Sequence, residues 1–73
     1  MNKEIIKTKY GTFTEGEKVF YDVYPHGVNI EGIATKEGIQ TIGKWQKEFI
    51  KVGMSDFIKF EDAQNIRKRE VKK

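Results

Sequence analysis

The chain is expected to form an α+β fold: an antiparallel sheet of three to four strands, arranged as a meander and packed by one amphipathic helix. Three observations predict it. β-Branched and aromatic residues flank Pro25-His26-Gly27, which reads as a hairpin. Apolar residues between Ile39 and Val52 fall at helical spacing. With 73 residues, 37% of them hydrophobic, there is material for one small core and no more. A small, mainly-β barrel is the alternative.

From Glu4 to Tyr10 the sequence alternates, with Ile6, Thr8 and Tyr10 on one side and lysines against them, as in a half-buried strand. Gly11 to Glu17 is rich in glycine and threonine around a lone Phe13 and reads as a connecting turn. The following hairpin, Val19 to Glu31, contains a conflict between turn and register. Pro25 and His26 with Gly27 behind them suit a three-residue loop, but that register mixes the two faces. An even register, set by a four-residue loop and placing Val23 opposite Ile30, collects Val19, Tyr21, Val23, Val28 and Ile30 on one face. It leaves Phe20, Asp22, Tyr24, Asn29 and Glu31 on the other. Burying a whole apolar face outweighs turn preference, because each large side chain removed from water contributes about 1.5 to 3 kcal/mol. The even register is therefore expected.

A helix is predicted from Thr35 as N-cap to Val52, with Ile39, Ile42, Trp45, Phe49, Ile50 and Val52 on its apolar side. Lys47 and Lys51 lie in its last turn, and Gly53 stands where a left-handed cap is needed. Gly38 and Gly43 weaken it by about 1 kcal/mol each. Gly38 would lie in a frayed first turn, and Gly43 would let the helix approach the sheet. Beyond it, Phe57-Ile58-Lys59-Phe60 reads as a further strand, residues 61 to 65 as a helical turn, and Ile66 as the start of a short last strand. A helix capped by Ser55 is the competing reading. Residues 1 to 66 thus make one domain, and 67 to 73, with six charges in seven residues, a basic and flexible tail.

The chain has no cysteine, which removes disulfides and thiolate metal sites and fits a reducing, cytoplasmic setting. Apolar runs are too short for a membrane span or a signal peptide core. With one histidine, His26, and one serine, Ser55, there is little from which to build a nucleophilic triad. The carboxylates are scattered among lysines and read as solvated surface, and the glycines form no phosphate-binding loop. No cofactor and no enzymatic role are expected.

Aromatic rings interleaved with cations are the positive signal. Phe20 and Tyr24, on the face away from the core, together with Lys18, Lys7, Lys9, Arg67 and Arg69, form the expected binding residues. They suit a small noncatalytic binding or regulatory module that contacts a protein partner or a second copy of itself. Alternatively they suit a binder of single-stranded nucleic acid, with rings to stack bases and cations to track phosphates. Trp45 is assigned to the core.

Overall fold

Residues 4 to 69 are described by a computed structural model. In chain order they form β1 (Ile5–Thr8), β2 (Gly11–Thr14), β3 (Lys18–Val23), β4 (Gly27–Ala34), β5 (Ile39–Thr41), α1 (Lys44–Lys51), β6 (Phe57–Ile58), a 3-10 turn (Phe60–Asp62) and β7 (Gln64–Arg67). Five strands make one antiparallel sheet in the order β6-β5-β4-β3-β7, and β1 pairs with β2 in a separate two-stranded sheet. The fold is mixed α+β, and the sheet does not close into a barrel. The expected three- to four-stranded meander is corrected: the large sheet has five strands, β7 returns to pair with β3, and β1 does not join it.

Cross-strand pairs define the two faces, because residues directly opposite each other point the same way. Val19 lies opposite Gly32 and Gly32 opposite Thr41; Tyr21 lies opposite Ile30; Ala34 lies opposite Ile39 and Ile39 opposite Ile58. These rows are buried, and Ile6 of β1, Phe13 of β2, Phe49 of α1, Ala63 and Ile66 complete the same cluster. Gly32 is required where it stands. A Cβ there would overlap Ile39 Cγ2 and lie 3.0 Å from the Gln40 carbonyl oxygen and 3.2 Å from Tyr21 Cε1, so the Ile39 methyl occupies the space a side chain would take.

The hydroxyls of Tyr21 and Thr41 hydrogen-bond to each other in this core. Burial pushes the Tyr21 phenol up to about 12; the Thr41 bond opposes the rise and the Asp56 carboxylate adds to it. The folded value exceeds the ordinary value of 10.0, so the neutral phenol's contribution to stability is complete below pH 10 and is lost as the pH climbs through about 12. A tyrosinate absorbance titration is expected to show one ring ionising only near pH 12 or on unfolding, a step that Tyr21→Phe removes. A curve left unchanged by that substitution at alkaline pH would contradict the burial.

A bulge resolves the conflict in the hairpin. Val23 pairs with Gly27, which leaves a three-residue loop, whereas Tyr21 pairs with Ile30, which keeps the faces unmixed. The additional residue lies in Val28-Asn29, where Asn29 has φ 53°. The expected pairing of Val23 with Ile30 is therefore corrected, and Val28 is 44% exposed instead of buried. Val19, Tyr21, Val23 and Ile30 are buried together as expected.

Gly11–Thr14 is a strand, not a loop. A two-residue turn, Lys9-Tyr10, joins β1 to β2, with the Thr8 hydroxyl accepting from the Tyr10 N–H at 3.1 Å and donating to the Gly11 carbonyl at 2.9 Å. The long helix is likewise shortened. Ile39–Thr41 is β5, between β4 and β6, and the helix begins only after Gly43, whose φ of 71° and ψ of −149° interrupt the chain direction. Thr35 caps no helix; its hydroxyl donates to the Gly38 carbonyl at 2.8 Å. Gly38 itself is packed, since a Cβ would come 2.6 Å from the Ile58 carbonyl oxygen.

The helix end conforms to expectation. Gly53, at φ 81°, follows Val52, its N–H donates to the Ile50 carbonyl at 3.1 Å, and the Met54 N–H reaches the Phe49 carbonyl at 2.7 Å. That pair of bonds is the Schellman arrangement. The strand, helical turn and strand expected after Met54 are β6, the 3-10 turn and β7. Among the described residues, no helix is long and apolar enough to cross a membrane.

Candidate functional site

Alternation along β3 sends Lys18, Phe20 and Asp22 to the face opposite the core. Phe20 lies opposite Glu31 on one side and Arg67 on the other; Lys18 lies opposite Ile33, Ile33 opposite Gln40 and Gln40 opposite Phe57. This outer face holds half-buried Phe20, Ile33 and Phe57. Lys18 Nζ is 5.5 Å from the Phe20 ring centroid and 3.3 Å from Glu31 Oε2.

At one margin of the face the hairpin and β7 converge on Asp22. Its carboxylate is 5% exposed and accepts four hydrogen bonds: from the Asn29 N–H at 3.0 Å, Arg67 Nη1 at 3.0 Å, Asn65 Nδ2 at 2.9 Å and the Tyr24 hydroxyl at 3.2 Å. Arg67 also donates to the Asn65 carbonyl at 2.6 Å and to Asn29 Oδ1, leaving Nε buried without a partner. Both asparagines adopt left-handed backbone, at φ 53° and 54°, which asparagine tolerates better than most residues. Burial alone would raise the Asp22 carboxyl, but the bonds from Asn65, Asn29 and Arg67, with the guanidinium charge, outweigh it and hold the carboxyl below the usual range.

Tyr24 is the exposed product of this arrangement. Its ring is 57% exposed, yet its hydroxyl is tied to Asp22 and its N–H donates to Gln64 Oε1 at 3.2 Å. The residues singled out in the sequence accordingly fall into two groups. Lys18, Phe20, Tyr24 and Arg67 meet on or beside the outer face. Lys7 belongs to β1 and Lys9 to the turn after it, with Lys9 Nζ 5.2 Å from the Tyr10 ring centroid, and both are exposed on the smaller sheet. Arg67, which its charge assigns to the tail, is the last residue of β7 and is half-buried; Arg69 is exposed, and residues 70 to 73 lie outside the described residues. Phe20 is half-buried under its neighbours and is not fully open.

Asp22, Asn29 and Asn65 are the residues that sequence reasoning passed over. Asp22 was readable as one of many surface carboxylates, but its place between Tyr21 and Val23 in an apolar run is the signal that it needs partners. Elsewhere, Asp56 accepts from Gln46 Nε2 at 2.8 Å and Gln40 Nε2 at 2.9 Å, bonds that hold its carboxyl below the usual range and tie α1 to β5. Lys36 is held above the usual range by its hydrogen bond to Glu4.

A concavity of about 460 Å3 lies between β2 and β7, lined by residues 10 to 13 on one side and 66 to 69 on the other. Among the described residues, no group of three or more histidine, cysteine, aspartate or glutamate side chains is placed to hold a metal ion. No family model, no curated protein and no solved structure matches this chain.

Proposed function

We propose that the chain is a small noncatalytic binding module that engages a protein partner through the outer face of its sheet, with Tyr24 and Phe20 as anchors. The observation that supports this reading is the state of Tyr24: an exposed ring whose hydroxyl and N–H are already held. Ordering a side chain on association costs about 0.5 to 1.5 kcal/mol, and a ring restrained beforehand avoids part of that loss. Tyrosine is also among the residues that dominate binding at interface centres.

The charge arrangement favours a protein over a nucleic acid on this face. Lys18 is paired with Glu31 and Arg67 with Asp22, so the cations nearest the rings are offset by carboxylates instead of being open to phosphates. A photo-crosslinking phenylalanine analogue placed at position 20 tests the reading in the native cell. One discrete protein adduct, lost when Tyr24→Ala is added, is the expected result. Adducts to nucleic acid, or a protein adduct that Tyr24→Ala leaves intact, would overturn it.

A further inference from the structure

We propose that the groove between β2 and β7 receives an extended acidic segment of a partner protein, added as a strand along the free edges that border it. This surface adjoins the outer face and shares only Arg67 with it. β2 pairs with β1 alone, and β7 pairs with β3 and ends the five-stranded sheet, so each strand has one edge outside any ladder, although the Thr14 N–H and carbonyl are bonded to Glu17 and the Asn65 carbonyl to Arg67. Such edges present backbone donors and acceptors in the pattern another strand needs. The concavity of about 460 Å3 lies between these two strands, bounded by residues 10 to 13 and 66 to 69. Four residues on each side at strand rise span roughly 13 Å, enough to seat about four residues of an extended peptide.

The chemistry of the walls selects the peptide. Phe13 and Ile66, 4% and 3% exposed, form an apolar floor, while Arg67, Lys68 and Arg69 are three successive cations on one wall and, among the described residues, no carboxylate lines the groove. Arg67 is paired with Asp22, Lys68 stands 3.7 Å from Glu17 with both side chains partly or largely exposed, and Arg69 is exposed. A strand presents alternate side chains to opposite sides. A peptide alternating apolar and acidic residues would therefore set one series on the floor and direct the other to the cations. A second copy of this chain docked groove to groove would bring its own Lys68 and Arg69 against these, and like charges in contact disfavour that arrangement.

The test uses the full chain and a fluorescently labelled octapeptide of alternating valine and glutamate, read by anisotropy at low salt, with amide NMR to locate the contact. Binding is expected, with shifts at Gly11, Thr12, Phe13 and Ile66. Joint replacement Lys68→Glu and Arg69→Glu, both at exposed positions, is expected to weaken it by about tenfold or more, a change of at least 1.4 kcal/mol. Methylating alternate backbone nitrogens of the peptide is expected to weaken it comparably, because strand addition needs their N–H groups. Four results would overturn the proposal: no binding of the acidic peptide, equal binding of the N-methylated peptide, shifts confined to the outer face around Phe20 and Glu31, or displacement of the peptide by a single-stranded oligonucleotide that binds more tightly. Because the two surfaces report on different amides, failure here leaves the outer-face reading to its own test.

Discussion

Asp22→Ala is expected to cost about 3 to 5 kcal/mol, the range for removing one partner of a buried ion pair. A domain of this size has a net stability of about 3 to 5 kcal/mol, so the variant should be largely unfolded at room temperature. The loss comes chiefly from what is left behind. Without the carboxylate, the Arg67 guanidinium, the Asn29 N–H, the Asn65 amide and the Tyr24 hydroxyl all lose an acceptor in a site where water cannot fully replace it. Urea unfolding followed by circular dichroism measures it. The double variant Asp22→Ala with Arg67→Ala should be destabilised by less than the two single losses added together, since the unpaired charge is gone. Strict additivity would show that the two groups do not interact.

The same group sets an acid limit. Because the Asp22 carboxyl is held below the ordinary value of 3.8, its contribution is present above pH 3.8 and is lost as the pH falls through the folded value. Asp22→Asn should flatten that part of the stability curve.

Phe49→Ala has the other large effect, also about 3 to 5 kcal/mol, as for a deleted core ring. Phe49 is 2% exposed and is the buried residue of α1, while Ile50 and the following Val52 are 60% and 64% exposed. An eight-residue helix is too short to persist without packing, so loss of this one ring should release it. Trp45, whose ring centroid lies 6.0 Å from that of Phe49, reports the change. Helical ellipticity should fall and the emission of the single tryptophan should shift to the red, with Lys47→Ala as an exposed control. A folded variant with unshifted emission would mean that other contacts hold the helix.

How much of the fold could be read in advance depended on where each strand finds its partners. The hairpin was legible because its two strands are neighbours in sequence and its valines and tyrosine alternate without interruption. β5 was not. Its inward residues are Ile39 and Thr41, and the threonine conceals the apolar alternation because its partner, the Tyr21 hydroxyl, lies 20 positions away. Ile39 and Ile42 consequently fitted a helical period equally well. β2 was missed for a related reason: a single inward residue, Phe13, among glycine and threonines carries almost no periodic signal. In the candidate site, Phe20 and Tyr24 could be assigned to a face by parity, but their surroundings could not.

By itself the sequence determined the α+β composition of the fold, the hairpin and its inward face apart from Val28, the Gly53 end of the helix, and the order of strand, turn and strand after Met54. Each of these depends on residues within a few positions of one another, where propensity and period-two or helical spacing act directly. Only the tertiary structure decided the bulge at Val28-Asn29, the insertion of β5 between β4 and β6, the separation of β1 and β2 from the large sheet, and the conversion of Asp22 from a surface carboxylate into a buried acceptor. The physical reason is common to all four. Long-range pairing and desolvation set the energy of a polar group or a short strand there, and the partners that satisfy Asp22 from β7, Asn65 and Arg67, lie 43 and 45 residues further along the chain.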